Sequence, residues 1–490
     1  MMEYEPVIGL EVHVQLQTKS KMFCGCPANY QDSEVNSIVC PVCLGLPGAL
    51  PVINRKAVEF TVMTGLALNC SIPEHSKFDR KNYPYPDLMK GYQISQFDMP
   101  LAVGGHLTIM VDGVSKHIRV DRVHLEEDAA KLQHYNESNN EAYSLVDVNR
   151  AGVPLMEIVS EPDMRSANEA RVYLTTLHGI VQYLGVSAAN MQEGNFRCDA
   201  NVSLRPKGDT TLGTKAEVKN MNSFRSVHMA INFEIDRQAR ILEQGGQIIQ
   251  ETRGWIDDRE ITVSQRSKEQ AHDYRYFPEP DLPPLTIKSS WVEQIRESLP
   301  ELAEGRKNRF IKELGLSEYD AELLTASKAI ADYFSSVIDG YTETYGALGQ
   351  FAKQASNWIL GDVTRLLNLN DANIGDCNIT PDRLIELMKL VESGTLSVGM
   401  AKAVLEECFD TGENPEDIVS SKGMAQINDS SVVEIAVIEA ISNNPRAVED
   451  YQNGKESAAK FLVGQVMKIT KGQAKPDLVQ SLVVAKLEEN

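Results

Sequence analysis

The sequence predicts an α+β fold: an antiparallel sheet that gathers carboxylates on one face, then an all-helical domain, then a small helical tail domain. Three observations predict it. Several stretches in the first part of the chain alternate apolar and polar side chains with the two-residue period of a strand. The proline-rich PEPDLPPL at 278–285 punctuates the chain, and all nine histidines precede it. Beyond it, apolar residues recur at helical spacing and chemically distinctive side chains thin out. The expected division of the 490 residues is 1–292, 293–408 and 409–490.

In GLEVHVQL near the start, Glu11, His13 and Gln15 share one face, and Leu10, Val12, Val14 and Leu16 the other. Cys24-Gly-Cys26 follows, then thirteen residues, then Cys40-Pro-Val-Cys43. Two close pairs around a short loop read as a four-cysteine structural zinc site, closed to catalysis. Four unrelated buried thiols are the alternative.

ALPVINRKAVEFTVMTGLALNC (49–70) reads as a helix. FDRKNYPYPDLMKGYQISQ (78–96) is aromatic, charged and broken by Pro84 and Pro86, and reads as a long irregular segment. From 100 to 160 strands are expected, with turns at Gly104-Gly105 and Asp112-Gly113. They carry the acidic cluster Glu126, Glu127 and Asp128, flanked by His124 and His134, and Glu157 inside PLMEIVSE. A helix over 163–186 is capped by Ser166 and ended by Gly185.

The central stretch comes next. Arg197, Asp199, Asn201, Ser203 and Arg205 alternate with Cys198, Ala200, Val202 and Leu204. After a glycine-containing turn, Lys215, Glu217 and Lys219 alternate with Ala216 and Val218. Solvated outer faces are one reading. A mixture of Asp, Asn, Ser and Arg also suits a metal–phosphate group. Carboxylates repeated on strand faces repel one another unless divalent cations sit between them. Glu11, His13, Glu126, Glu157, Glu193, Asp199 and Glu217 form that ligand pool. Arg197, Arg205, Lys215 and Lys219 are the phosphate-facing cations. There is no GxxxxGK[ST], so any phosphate grip is not a P-loop.

A second helix is expected from Ser226 to Gly245, then helical runs at 291–301, 321–337, 342–367 and 382–408. The stretch from 410 to 490 is again helical. Between Lys455 and Lys475 stand five lysines and one glutamate. Lys460, Lys468, Lys471 and Lys475 suit phosphate contacts, a solvated helix face being the alternative.

The net charge of −21, from 48 basic and 69 acidic residues, argues against general nucleic-acid binding. A nucleic-acid role needs the local lysine patch or a basic partner. No apolar run is long enough to span a bilayer, and MMEYEPVIGLEVHV carries no targeting signal, so a cytoplasmic location without membrane contact is expected. Cys70, Cys198, Cys377 and Cys408 read as reduced, buried small hydrophobes.

GLEVHVQL, the cysteine pairs, DRKNYPYPDLMKGYQISQ, HLEEDAAKL, NRAGVPLMEIVSEPD, EGNFRCDANVSLRP, VKNMNSFRSV and DYRYFPEPDLPPL also carry a resemblance. In this order, over nearly the whole chain, they resemble the B subunits of bacterial Asp/Glu-tRNA amidotransferases. The resemblance implies a glutamine-synthetase-like cradle holding ATP and Mg²⁺ on its sheet. It implies phosphorylation of the side-chain carboxylate of Glu-tRNA(Gln) or Asp-tRNA(Asn), then amidation by ammonia. It implies that the 78–96 loop lines the ammonia path, with Lys81, Tyr83, Tyr85, Asp87, Lys90 and Gln93 as candidates. It implies a tail domain that engages tRNA. The chain has no convincing nucleophile pair of its own for releasing ammonia from glutamine. An amidase A subunit and a small C subunit are therefore the expected partners. From the residues alone, a small-molecule ligase and a zinc-containing, non-catalytic RNA-binding protein also stay open.

Overall fold

The computed structural model describes residues 3–136, 142–267, 274–341, 347–423, 430–470 and 473–488. It is a mixed α/β protein with two compact units, Met1–Leu302 and Ala303–Asn490. The strands of the first unit begin with β1 (Tyr4–Gln15), β2 (His75–Ser76), β3 (Asp79–Asn82), β4 (Tyr92–Ser95) and β5 (Ala102–Val111). Next come β6 (Val114–Glu127), β7 (Lys131–Asn136), β8 (Ala142–Asp147), β9 (Pro154–Ser160) and β10 (Phe196–Pro206). The last are β11 (Ala216–Met221), β12 (Glu251–Ile256), β13 (Ile261–Ser267), β14 (Phe277–Pro278) and β15 (Leu285–Thr286). Its helices are α1 (Arg55–Ala67), α2 (Ala167–Leu184), α3 (Phe224–Glu243) and α4 (Ser289–Glu297).

Eight strands make one sheet in the order β13-β12-β11-β10-β1-β9-β6-β5. Its neighbours run antiparallel except β11 and β12, which run parallel. One face is apolar. Leu10, Val12 and Val14 of β1 and Ala200 and Val202 of β10 share a core with Val62 of α1, Leu174 and Leu177 of α2, and Ile231 of α3. Truncating one such buried leucine costs about 2–5 kcal/mol. Because side chains alternate along a strand, Glu11, His13, Arg197 and Asp199 are left on the opposite face.

The helix ends follow from capping. Ser166 Oγ accepts the Glu169 N–H at 3.1 Å, and Gly185 ends α2 with φ 66°. Ser223 caps α3 by accepting the Ser226 N–H at 3.0 Å, so that helix starts earlier than its apolar spacing suggests. α1 starts later than expected. Asn54 Oδ1 takes the N–H groups of Lys56 and Ala57, and 49–54 stays outside the helix.

Other expectations are also corrected. Gly104-Gly105 lies inside β5 rather than in a turn. A Cβ on Gly105 would sit 2.4 Å from Leu68 O and from Cys70 Sγ, so the glycine marks a close backbone approach. The segment 78–96 is not wholly irregular: β14, β3 and β4 form a small antiparallel sheet. Its strand β3, DRKN, is held by ion pairs, not by apolar alternation. The Arg80 guanidinium reaches Glu279 at 2.7 Å and Asp281 at 3.1 Å. The proline-rich stretch therefore belongs to the first unit, as does β15, paired with β2.

The second unit is helical in its described residues. It runs through α5 (Ala303–Leu314), α6 (Glu318–Thr325), α7 (Lys328–Asp339), α8 (Leu348–Trp358), α9 (Thr364–Leu369), α10 (Pro381–Glu392) and α11 (Val398–Thr411). Then come α12 (Pro415–Lys422), α13 (Ser430–Asn443), α14 (Pro445–Gln452), α15 (Ser457–Ile469) and α16 (Pro476–Glu488). The expected run 321–337 is two helices, and 382–408 is broken at Gly394, where φ is 73°. Helix α5 lies outside the expected runs. One buried cluster runs from Phe310 to Val419, and a separate one from Val433 to Leu487.

Candidate functional site

Strand register assembles the site. β1 lies between β9 and β10, so His13 is opposite Glu157 on one side and Arg197 on the other. Glu11 is opposite Asp199, and His124 of β6 is opposite Glu157. His13 Nε2 lies 3.2 Å from Glu157 Oε2 and 4.0 Å from Glu126 Oε1. His124 Nε2 lies 3.4 Å from Glu157 Oε2 and 3.8 Å from Glu126 Oε2. Ser95 of β4 donates to Glu126 at 3.1 Å. The ligand atoms of His13, Glu126 and Glu157 all lie within 4.8 Å of one another, an arrangement that could hold a metal ion.

The charges explain how two carboxylates coexist here. Glu126 and Glu157 are buried, at 3% and 8% exposure. Burial alone would raise both carboxyls, but His124, His13 and Lys81 outweigh it at Glu157, which stays below the usual range. Glu126 is also held low, by His124 and Lys81 against burial and Glu157. Burial would lower the His13 imidazole, yet Glu157 and Glu126 push it up to about 9. Burial would likewise lower Lys81, which Glu126 holds above its usual range. The cluster thus stays anionic at the carboxylates and carries a displaceable proton on His13.

A cavity of about 360 Å³ opens beside this cluster, lined by His13, Lys81, Tyr83, Glu126, Arg197 and Lys219 among others. Lys219 Nζ reaches Asp199 Oδ2 at 2.5 Å and Glu217 Oε1 at 3.2 Å. Glu217 also accepts from Thr252 at 2.8 Å, and Glu11 from the Asn201 amide at 2.8 Å. Arg197 Nη2 donates to Asp128 Oδ2 at 3.0 Å. Burial would raise the Asp128 carboxyl, but Arg197 and Arg150 hold it below its usual range. A carboxylate-bound metal flanked by fixed cations is suited to gripping a polyphosphate and neutralising developing charge.

Other expected residues lie apart. Arg205 pairs with Glu5 at 2.6 Å, well along β10 from His13. Lys215 is exposed just before β11. Glu193 is exposed and accepts from Asn195 at 3.0 Å. Among the ammonia-path candidates, Lys81 and Tyr83 line the cavity with Gln93, to which the Tyr83 hydroxyl donates at 3.2 Å. Lys90 is paired with Glu127 instead, and Tyr85 is 55% exposed. Asp87 is half-buried, and its Oδ1 has no hydrogen-bond partner among the described residues.

Sequence reasoning leaves two residues out of the site. His124 sits two residues before Glu126 on the same strand face, a parity that is readable in the sequence. Asp128 lies just past the end of β6, where parity gives no orientation.

The sulfurs of Cys24, Cys26, Cys40 and Cys43 lie within 4.8 Å of one another. Four thiols this close fit a tetrahedral metal ion. The Cys43 thiol is held below its usual range, chiefly by its hydrogen bond with Cys24, while burial pushes Cys26 up. In the second unit Lys460, Lys468 and Lys475 are exposed, and Lys471 lies outside the described residues. No helix among the described residues is long and apolar enough to cross a membrane.

A family model described as the GatB/GatE catalytic domain matches residues 6–293, and one described as the GatB domain matches residues 332–487. The aspartyl/glutamyl-tRNA(Asn/Gln) amidotransferase B subunit of Dehalococcoides mccartyi is 54% identical over 491 residues, 100% of both chains. Proteins of the same name are 53% identical in Carboxydothermus hydrogenoformans, over 99% of each chain, and 54% identical in Moorella thermoacetica, over 99% of this chain and 100% of the other. Matched by both family models and by relatives along its full length, this chain belongs to the family of GatB amidotransferase B subunits.

Proposed function

We infer that this chain is the B subunit of a tRNA-dependent amidotransferase that converts Glu-tRNA(Gln), Asp-tRNA(Asn) or both to Gln-tRNA(Gln) and Asn-tRNA(Asn). The observation that carries the chemistry is the meeting of His13, Glu126 and Glu157 with Lys81, Arg197 and Lys219 around one cavity. ATP is the activating substrate. Mg²⁺ held by the His13, Glu126 and Glu157 ligands, with Glu11, Asp199 and Glu217 in reserve, supplies charge neutralisation at the phosphates when bound. Arg197 grips the phosphate oxygens, and Lys219 neutralises charge where the γ-phosphorus meets the incoming carboxylate.

A side-chain carboxylate oxygen of the aminoacyl group bonds to the γ-phosphorus, and ADP leaves. Activation is required because oxide is a poor leaving group and phosphate a good one. Ammonia nitrogen then bonds to the acyl carbon, phosphate departs, and one proton is released. Lys81 and Tyr83, beside Glu126, border the place where that nitrogen arrives. Water has to be excluded meanwhile, or the acyl phosphate hydrolyses.

An amidase A subunit supplies the ammonia, and a small C subunit ties the pair together. Structural Zn²⁺ on the four cysteines pins the 24–43 loop beside the sheet. The division proposed is a glutamine-synthetase-like cradle at 1–292, a helical domain at 293–408, and a tail at 409–490 that meets tRNA through Lys460, Lys468, Lys471 and Lys475. The enzyme works in the cytoplasm. ATP hydrolysis by the chain copurified with its partners, in magnesium and without glutamine, tests this reading. Stimulation by Glu-tRNA(Gln) alone, lost in Glu11→Ala or Glu217→Ala, is expected. Turnover indifferent to tRNA would move the protein to the small-molecule ligases.

A further inference from the structure

We propose that Asp128 is the positioning residue that aims Arg197 into the cavity, and that the loop between the cysteine pairs braces it through Tyr30 and Gln15. The proposal rests on the reading above that the cavity takes the phosphates of ATP.

The Asp128 side chain is only 4% exposed. Its Oδ2 accepts from Arg197 Nη2 at 3.0 Å and from the Gln15 amide at 2.6 Å. Its Oδ1 accepts the Ala129 N–H at 2.9 Å, with Arg150 Nε 3.8 Å away. Arg150 is itself committed, donating to the carbonyls of Ala129 at 2.9 Å and Ala130 at 2.8 Å. The carboxylate is thus held at both oxygens.

Gln15 comes from β1, two residues beyond His13 and on the same face. Its amide nitrogen also lies 3.3 Å from the Tyr30 hydroxyl. Tyr30 sits between Cys26 and Cys40. A continuous chain of polar contacts thus runs from the cysteine loop, through the end of β1, to Arg197. The arginine is fixed at one guanidinium nitrogen only. Its Nε is buried and has no hydrogen-bond partner among the described residues.

The rest of the guanidinium is accessible: the Arg197 side chain is 36% exposed and lines the cavity, where an anionic oxygen can accept from it. Arg197 is thus anchored by Asp128 on one side and open on the other. A long side chain held in its binding rotamer loses less entropy when its ligand arrives. Removing the anchor should weaken nucleotide binding without altering the chemistry that follows.

The test uses the complex with its partner subunits, reading kcat and KM for ATP with misacylated tRNA in excess. The variants are Arg197→Ala, Asp128→Asn, Tyr30→Phe and the double variant Arg197→Ala/Asp128→Asn. Asp128→Asn is expected to raise KM for ATP about tenfold while kcat stays within about twofold. Tyr30→Phe, which keeps the ring and covers the case of an Asp128→Asn chain that fails to fold, should raise KM about threefold. Added to Arg197→Ala, Asp128→Asn should do nothing more, because what it positions is gone. A KM raised by Arg197→Ala but untouched by Asp128→Asn and Tyr30→Phe would overturn the positioning role and leave the phosphate reading standing. Full additivity in the double variant, or equal losses in kcat and KM together, would make Asp128 merely structural. A KM unchanged by Arg197→Ala would overturn the phosphate reading itself.

Discussion

Glu126 and Glu157 share a buried site because positive charge lies between and beside them. His13 carries part of that charge, and this has a pH signature. Its folded value of about 9 lies above the ordinary 6.5, so the folded chain holds the proton more tightly than the unfolded one. The stabilisation is complete below about 6.5 and is lost as pH rises through about 9. In magnesium-free buffer, wild type should melt several degrees above His13→Gln at pH 6, and the gap should close by about pH 10. A gap that widens with pH would contradict the assignment. Lys219 makes a second test. It pairs with Asp199 on the cavity wall and with Glu217. Lys219→Ala should lower kcat/KM for ATP by about a hundredfold, and Lys219→Arg should recover part of the loss, in steady-state turnover of the complex.

At the scale of elements, the local alternation is legible in the sequence and the long-range register is not. Glu11, His13 and Gln15 share a face by period-two parity alone, as do Arg197 and Asp199. Which strands flank β1 is fixed by pairings spanning well over a hundred residues. The meeting of His13 with both Glu157 and Arg197 follows from β1 lying between β9 and β10, which no local pattern encodes. Arg205 shows the converse. It shares the face of Arg197 but stands at the Glu5 end of the strand, so parity without register misplaces it in the site. β3 escapes the pattern because charge pairs, not an apolar face, hold it. The cysteine loop is legible because metal-ligand spacing is a local signal. If zinc pins it, Cys40→Ser should purify without stoichiometric zinc, show new protease cleavage between residues 24 and 50, and keep the far-UV signature of the sheet and helices. Unchanged zinc content in elemental analysis would contradict the site.

At the scale of the molecule, the chain is acidic overall, with a net charge of −21, and its lysine-rich stretch stands near the C-terminus. The proposed function puts tRNA affinity in the tail and chemistry in the first unit, and a deletion tests that division. Deleting residues 430–490 should raise KM for tRNA about tenfold or more, leave KM for ATP within about twofold, and flatten the dependence of tRNA affinity on salt. The central claim is that the cavity beside His13, Glu126 and Glu157 transfers phosphate to the carboxylate of the aminoacyl-tRNA. The most direct measurement is to incubate the complex with ATP and Glu-tRNA(Gln) carrying labelled glutamate, without glutamine or ammonia, trap the acyl phosphate with hydroxylamine, and count only the side-chain γ-hydroxamate, which cleavage of the tRNA ester at the α-carboxyl does not give. Wild type should yield one hydroxamate per bound tRNA, and Glu157→Gln should yield none while still binding tRNA. Hydroxamate formed by Glu157→Gln at the wild-type rate, or none formed by wild type, would contradict the account.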